Sequence, residues 1–392
     1  MPDADAAVPL PFEGIRILDL AAPVSASCGR VLAGYGAAVV RVESPRRQTP
    51  DDGPTAWLDA WYAAGCRRIT LDVTAERALP LLAELAATVD VVVASPTAAT
   101  PVVGFAADPL GLSWCPPSVV TCLLTPFGAT GPLRDWRVTP LTAHAMSGLM
   151  YPVGPEDGPP LAMPGRQHWD EAGVRAAICI VAALHERPWA GGQVLDVAAH
   201  EVAASQDDVI HRFDVAGLVV RRRVNFGVPP SGTWAVADGM VDIAVNTPGH
   251  WEAFVKTMGS PAELTDPMWE DRGMRMQLHD VLAETVAGML RERRRDELVA
   301  DGQAHGLPCS AANTPEQFVA DQRADERRPL GTLRHPTLGT CDVPGPPLRV
   351  EGRFHQRDLV AATVGEHTDD VLIGELGHGA AEVRHWREVG LV

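Results

Sequence analysis

Short apolar runs rich in valine recur through the first third of the chain, and they constrain the fold more than any other feature. Residues at helical spacing separate these runs, as in 26–35 and 75–87. Runs that are apolar on both faces are typical of buried parallel strands, and parallel strands need helical crossovers. The sequence therefore predicts an α/β fold with a parallel sheet. The predicted strands are 15–20, 37–43, 69–72, 89–94 and 118–124.

The segment 164–197 continues the alternation of helix and strand. A helix over 171–186 with one buried face is predicted by apolar residues at helical spacing: Val174, Ala177, Ile178, Val181 and Leu184. A proline and two glycines follow and are expected to end the helix before a further strand.

Asp170 stands at the predicted start of that helix. Free backbone N–H groups and the helix dipole favour a carboxylate at this position. Asp170 is therefore a candidate N-cap and a candidate active-site carboxylate. The two roles are compatible, because a capping aspartate still presents a second oxygen.

The sequence changes character after residue 220. A hairpin pattern over 231–245 precedes helical patterns, and the chain then returns to strand-like segments. We predict a large domain that begins with 1–220, a smaller α+β domain over 221–325, and a return to the large domain over 326–392.

The negative net charge of the chain limits the ligands that it can bind. The chain carries a net charge of −17, with 33 basic and 50 acidic residues. Such a protein is a poor ligand for nucleic acid or anionic membranes, so an anionic ligand needs a local arginine cluster. Arginines next to predicted turns are suited to phosphate, because the guanidinium binds two oxygens at once. They are Arg46, Arg47, Arg67, Arg68 and Arg137.

The sequence gives no support for a metal site, a disulfide framework or a serine nucleophile. The seven cysteines form no Cys-x-x-Cys pair and the histidines lack metal-ligand spacing, so we expect no metal and no disulfide framework. No Gly-x-Ser-x-Gly nucleophile motif is present. The chain shows no signal pattern and no 18-residue apolar run, which favours a cytoplasmic protein.

Segments along nearly the whole chain resemble, in order, those of the family III CoA-transferases. This family includes the carnitine and formyl-CoA transferases and the α-methylacyl-CoA racemases. One example is Gly192-Gln-Val-Leu-Asp-Val197, which is similar to the family's Gly-Gln-x-x-Asp-Val. The other segments are 14–20, 32–45, 66–72, 127–132, 145–150 and 365–377.

The resemblance implies a Rossmann-like large domain whose parallel sheet is built from both chain ends, a small middle domain, and an interlocked homodimer. It implies that coenzyme A moves between an acyl-CoA and a small carboxylic acid. An aspartate attacks the thioester, and a mixed anhydride and an enzyme–CoA thioester follow. By this resemblance Asp170 is the nucleophile and the five arginines above are phosphate contacts. The loop at Phe127 and Gly128 is expected to offer backbone N–H groups to the substrate.

The sequence departs from the family pattern at the catalytic positions. The family's aspartate lies four residues before a helical glycine; here that glycine is Gly173, and Trp169 occupies the position. A one-residue gap would bring Asp170 into place. The racemase His-Asp pair is replaced by Thr139 and Pro140, which disfavours racemase chemistry. The alternatives are another acyl-CoA enzyme, such as a dehydratase, acyl transferase or racemase, or a non-catalytic CoA-binding subunit that needs a homologous partner.

Overall fold

The structure is a computed structural model, and its contacts divide the chain into two units. One contains the described residues of 1–150, 162–219 and 327–392, and the other those of 151–161 and 220–326. Both predicted domain boundaries, 220–221 and 325–326, lie outside the described residues. The structure describes residues 9–20, 22–47, 52–97, 101–105, 113–155, 157–206, 209–217, 219, 222, 228–324, 330–345, 347–350, 353–354 and 358–392.

The first unit is built on a six-stranded parallel sheet in the order β3-β2-β1-β4-β5-β6. This is the strand order of Rossmann-like folds, and the predicted α/β class is confirmed. A short 3₁₀ turn, Glu76–Ala78, precedes the third helix. The elements are β1 (Arg16–Asp19), α1 (Ala26–Gly34), β2 (Ala38–Glu43), α2 (Gly53–Ala63), β3 (Arg67–Thr70), α3 (Leu79–Ala87), β4 (Val91–Ala94), β5 (Val120–Thr125), α4 (Pro140–Met146), α5 (Gln167–Ala190), β6 (Val194–Ala198), α6 (Ala199–Ala204) and α7 (Val209–Ala216).

The valine-rich runs are buried on both faces of this sheet. Ile17 and Leu18 are both fully buried, but they belong to two different apolar clusters. The cluster that contains Ile17 also holds residues of α1 and α5, and the cluster that contains Leu18 holds residues of α3. Helices therefore cover both sides of the sheet, as expected for buried parallel strands.

The second unit combines a small antiparallel sheet with helices. Its sheet has the order β7-β8-β9, and a core that includes Trp234, Phe254 and Leu282 lies against it. The predicted hairpin is therefore present. The elements are β7 (Gly232–Val236), β8 (Gly239–Ile243), α8 (Pro248–Thr257), a 3₁₀ turn (Pro267–Glu270), α9 (Arg272–Gln277), α10 (His279–Arg291), α11 (Arg295–His305), β9 (Cys309–Ala311) and α12 (Pro315–Ala324).

The later part of the chain returns to the first unit, as expected, but it supplies no strand to the six-stranded sheet within the described residues. The expectation of a sheet built from both chain ends is corrected on this point. Val371, Leu372 and Val383 instead join the apolar cluster around Leu18. The elements are β10 (Leu330–His335), β11 (Gly339–Pro344), β12 (Arg349–Val350), β13 (Arg353–Phe354), β14 (Leu359–Val360), a π-helix (Asp370–Glu375) and α13 (Ala380–Glu388).

Helix α5 differs from its prediction at both ends. It begins at Gln167 rather than 171, and it continues through Pro188 to Ala190. Gly191 ends it with a positive φ of 75°, which a residue with a side chain adopts only under strain. Asp170 consequently lies inside the first turn, and the N-cap position belongs to Arg166.

The predicted buried face of α5 is correct only in part: Ala177 is buried and Leu184 is partly buried. Val174, Ile178 and Val181 are 44 %, 59 % and 38 % exposed. The helix instead turns small residues such as Gly173 and Ala176 towards α1 and the sheet. Small residues on this face allow close packing of α5 on α1, while Val174, Ile178 and Val181 face outward. In the described part of the chain, no helix is long and apolar enough to cross a membrane.

Candidate active site

The carboxylate of Asp170 is held at one oxygen by two hydroxyl groups. The Tyr62 hydroxyl donates to Oδ1 at 2.8 Å, and the Ser27 hydroxyl donates to the same oxygen. Within the described residues Oδ2 accepts no hydrogen bond. The side chain is only partly buried, so one oxygen is fixed by the protein and the other is available to a ligand.

Glycine at position 173 lets these groups meet. A Cβ at Gly173 would lie 2.8 Å from Cβ of Ser27 and 2.9 Å from the backbone nitrogen of Cys28. Distances this short do not occur between real side chains, so only glycine lets α5 approach the start of α1 so closely. The same approach brings Asp170, one turn earlier on α5, to the hydroxyl of Ser27.

Tyr62 is a donor that does not ionise under ordinary conditions. Its side chain is buried at the end of α2. Burial, together with the hydrogen bond to Asp170 and its charge, raises the pKa of Tyr62 to about 12. The phenol therefore keeps its proton and continues to donate to Asp170 across the physiological pH range.

Arg166 lies against the same group. Its guanidinium stands 4.7 Å from the centre of the Tyr62 ring and 5.3 Å from that of Trp169. It also donates to the carbonyl of Pro23. Its Nε is buried without a hydrogen-bond partner. Arg166, Tyr62, Pro23 and Ala26 contribute to the lining of an open cavity of about 400 Å³.

Two buried histidines adjoin this site. The rings of His144 and His168 stack with centroids 5.3 Å apart and planes inclined by 19°. Burial lowers the pKa of both side chains, and for His168 the neighbouring His144 lowers it further. Both rings are therefore neutral near pH 7. His144 Nδ1 and His168 Nε2 have no hydrogen-bond partner.

A separate buried ion cluster lies at the ends of β1 and β2. Its centre is Arg68, which is 1 % exposed. Arg68 donates to both oxygens of Glu43 at 2.7 and 3.0 Å, to Asp59 at 3.0 Å and to the carbonyl of Ala362 at 3.0 Å. Burial alone would raise the pKa of Glu43, but the hydrogen bond from Arg68 and the nearby arginine charges hold it below its usual value. The charges balance. We define the cluster as Arg41, Arg47, Arg68, Asp19, Glu43 and Asp59.

The structure does not gather the five predicted arginines into one group. Arg68 and Arg47 belong to the buried ion cluster, although Arg47 also faces the cavity. Arg67, the first residue of β3, pairs with Glu375 on the π-helix. Arg46 and Arg137 are exposed.

The loop that contains Phe127 and Gly128 follows β5 at its carboxyl end. Gly128 has a φ of 92°, and the next N–H group, of Ala129, donates to Asp196 at 2.9 Å. The Phe127 ring packs edge-on against His200, with centroids 5.1 Å apart. Within the described residues this loop makes no hydrogen bond to Asp170, and one of its N–H groups is already bound by the protein.

A sequence model described as CoA-transferase family III matches residues 12–368. The chain belongs to this family. It is 26 % identical over 389 residues to a succinyl-CoA–D-citramalate CoA-transferase of Chloroflexus aurantiacus, which covers 94 % of this chain and 95 % of the relative. It is 28 % identical over 421 residues to a formyl-CoA:oxalate CoA-transferase of Streptomyces coelicolor, with 97 % and 99 % covered.

The fold is shared with solved members of the CaiB/BaiF group. A CAIB/BAIF family protein from Brucella suis superposes with a TM-score of 0.77 at 22 % identity, covering 94 % of this chain and all of that one. Membership in family III makes this CoA-transferase homologue a transferase that acts on acyl-CoA and acids. In the described residues no cluster of three or more His, Cys, Asp or Glu side chains is placed to hold a metal ion.

Sequence reasoning missed three residues that surround Asp170 in this family III protein: Ser27, Tyr62 and Arg166. Helix α2, which carries Tyr62, was not predicted. A signal was present, because Pro54 stands in its first turn and Ala56, Ala60 and Ala63 recur at helical spacing. No local signal marks Ser27, which acquires its role only through the packing of α5 on α1.

Proposed function

We propose that this family III member transfers coenzyme A between an acyl-CoA and a small carboxylic acid, with Asp170 as the nucleophile. The observation that carries the proposal is the arrangement of the Asp170 carboxylate. Two hydroxyl donors fix Oδ1, and Oδ2 accepts no hydrogen bond from the residues that the structure describes. A carboxylate oriented in this way is suited to attack a carbonyl carbon that enters from the open side.

The proposed reaction conserves the thioester. Oδ2 attacks the thioester carbonyl, the C–S bond breaks, and the CoA thiolate leaves a mixed anhydride on Asp170. The thiolate then attacks the Asp170 carbonyl and releases the donor acid as a carboxylate. The acceptor carboxylate attacks the carbonyl of the resulting enzyme–CoA thioester and expels the CoA thiolate, which leaves a second mixed anhydride. The thiolate then attacks the acceptor's carbonyl carbon, the anhydride C–O bond breaks, and Asp170 is released as a carboxylate. No proton is consumed, which agrees with the neutral histidines and the un-ionised Tyr62.

The packing of Trp169 supports the choice of Asp170 over the preceding position. The Trp169 side chain is 8 % exposed and belongs to the apolar cluster under the sheet. Asp170 is the carboxylate of this turn, and it reaches Ser27 and Tyr62. We therefore propose Asp170 as the catalytic carboxylate, one residue from the position in the family pattern.

Among the predicted arginines, we propose Arg137 and Arg46 as phosphate contacts for CoA. Arg68 and Arg67 are held by Glu43 and Glu375, whereas Arg137 and Arg46 are exposed. Arg137→Ala should weaken CoA binding by about 1–3 kcal/mol in isothermal titration, the range of a charge-assisted hydrogen bond. An unchanged affinity would remove Arg137 from the site.

We also propose that the protein is a homodimer. Val174, Ile178 and Val181 form an exposed apolar stripe on α5, opposite a face that is already buried. A helix that is apolar all round is normally covered on every side, and a second copy of the chain is the proposed cover. Sedimentation should give twice 41.8 kDa. A stable monomer would contradict the assembly.

The test of the reaction is Asp170→Asn. Asparagine keeps an oxygen that accepts from Tyr62 and Ser27, so the variant should fold with a stability change below about 0.5 kcal/mol. It cannot form the anhydride, so turnover should fall at least about a thousandfold. Mass spectrometry of the wild type after incubation with succinyl-CoA should reveal a hydroxylamine-sensitive adduct on Asp170. Full activity in the Asn variant would show that the chain does not use aspartyl chemistry.

A further inference from the structure

Arg166 carries a positive charge that is in ion-pair contact with no carboxylate of the described residues. The arginines of the buried ion cluster all face carboxylates, three against three. In the part of the chain that the structure describes, Arg166 forms no ion pair. Its contacts are the Pro23 carbonyl and the faces of Tyr62 and Trp169, and its Nε is buried without a partner. A buried N–H donor of a charged group costs free energy when it has no acceptor. This cost indicates that another group supplies the acceptor for Arg166.

The side chain is held in one orientation before any ligand arrives. Two aromatic faces lie against the guanidinium, and the Pro23 carbonyl accepts from Nη2. A guanidinium fixed in this way loses little conformational entropy when it binds, and its planar set of N–H groups matches a carboxylate.

The cavity beside Arg166 has room for a small acid. It has a volume of about 400 Å³, and Ala22, Pro23 and Ala26 form a wall of small residues. Tyr62 lines the same cavity and donates to Asp170. Tyr62 therefore connects this cavity to the proposed nucleophile.

The charge of Arg166 matters most at one stage of the proposed reaction. In the free enzyme the negative charge of Asp170 raises the pKa of Tyr62 and the positive charge of Arg166 lowers it. When Asp170 becomes a neutral thioester, that negative charge is lost. The positive charge of Arg166 is then uncompensated at the step in which the acceptor acid must bind.

We propose that Arg166 binds the carboxylate of the acceptor acid in this cavity and orients it beside Asp170. The ligand class is a small carboxylate. The proposal rests on the proposed function, because it assigns Arg166 to the second half of the same reaction. Arg166 makes no bond to the reacting carbon; it positions the attacking oxygen.

The test uses Asp170→Asn as a neutral stand-in for the thioester state, with oxalate and succinate as probe acids in isothermal titration. Adding Arg166→Gln should weaken acid binding at least about tenfold, as expected for loss of a charge-assisted bond. Arg166→Lys, which keeps the charge and loses the planar fork, should give a smaller loss. The affinity for CoA should change less than about twofold in each variant.

Arg30→Gln is the matched control. Arg30 is also close enough to Asp170 to interact with its charge, and its guanidinium stacks on Trp61 at 4.0 Å, but it does not line the cavity. In the Asn background it should change acid affinity less than about twofold. Equal binding with and without Arg166, an equal loss in Arg30→Gln, or no binding of either acid to the Asn variant would each overturn the assignment. The proposed reaction is tested separately, by measuring the turnover of the single Asp170→Asn variant.

Discussion

Two groups of polar side chains meet at Tyr62, and they differ in how completely they are paired. On one side Arg41 donates to the Tyr62 carbonyl at 3.4 Å and belongs to the buried ion cluster, where every charge is matched. On the other side the Tyr62 hydroxyl donates to Asp170, whose Oδ2 has no partner within the described residues, and Arg166 retains an unpartnered Nε. A complete cluster stabilises the fold, whereas an incomplete one is suited to binding and chemistry. The predictions below test that division, from the largest expected effect to the smallest.

Arg68→Met should be the most destabilising change. It leaves Glu43 and Asp59 buried without their main cation, and removal of one partner of a buried ion pair typically costs about 3–5 kcal/mol. Urea unfolding of the purified protein measures this loss. Arg46→Met, on the exposed neighbour, should change stability by less than about 0.5 kcal/mol. Equal costs for the two variants would mean that the buried ion cluster is not structural.

Gly173→Ala should damage both stability and activity, because its Cβ would collide with Ser27 and Cys28. Overpacking of this kind costs about 1–3 kcal/mol, and the forced separation of α5 from α1 should pull Asp170 away from the Ser27 hydroxyl. Gly288→Ala is the control. Gly288 lies in α10 with nothing within 4 Å of a new Cβ, so alanine should stabilise the protein by about 0.5–1 kcal/mol. Stabilisation in both variants would contradict the close helix approach.

Tyr62→Phe should affect turnover more than folding. The change removes one of two donors to Asp170 Oδ1 and leaves the aromatic face that contacts Arg166. We expect a loss of about 1 kcal/mol in unfolding free energy and about a tenfold fall in kcat. Ser27→Ala should act in the same direction, since it removes the second donor. A normal kcat in the double variant would show that the fixed oxygen is irrelevant to catalysis.

Substitution of the two buried histidines is expected to give the smallest effect, a change in the pH dependence of the free energy of unfolding. Burial lowers the pKa of His144 and His168 below the ordinary value of 6.5, so the unfolded chain binds more protons than the folded one just below that pH. Their contribution to stability is complete above pH 6.5 and is lost as the pH falls below it. The double change to glutamine should flatten the difference in unfolding free energy between pH 7.5 and 5.5.

The sequence predicted the parallel sheet well, because buried parallel strands are visible in a sequence as short apolar runs. The valine-rich segments became β1, β2, β4 and β5 within two or three residues. No local sequence pattern marks the hydrogen-bond partners of Asp170. Ser27 and Tyr62 lie 143 and 108 residues away from it, and only the packed fold brings them together.

The predictions for the buried face of α5 and for the arginine contacts failed in part for the same reason, because both depend on contacts between distant elements. The periodicity of α5 indicated an amphipathic helix, but periodicity cannot choose between a face of small residues and a face of large ones. The arginines next to turns were all plausible phosphate contacts, but whether a guanidinium is free depends on carboxylates from other elements. For Arg68 those carboxylates come from β2 and α2, and its further partner is the Ala362 carbonyl nearly 300 residues later.

The discontinuity of the first unit has a consequence for the order of folding during synthesis. Arg16 on β1 bonds to Glu375, 359 residues later, and Leu372 completes the core around Leu18. Among the described residues, the buried cluster at the core of the second unit lies within 234–309. The ribosome therefore delivers everything needed for this middle core while the valine-rich strands still lack their last partners. Because such exposed strands are prone to association, we expect nascent chains to depend on chaperones until residue 383 has emerged, even though the strands were made first.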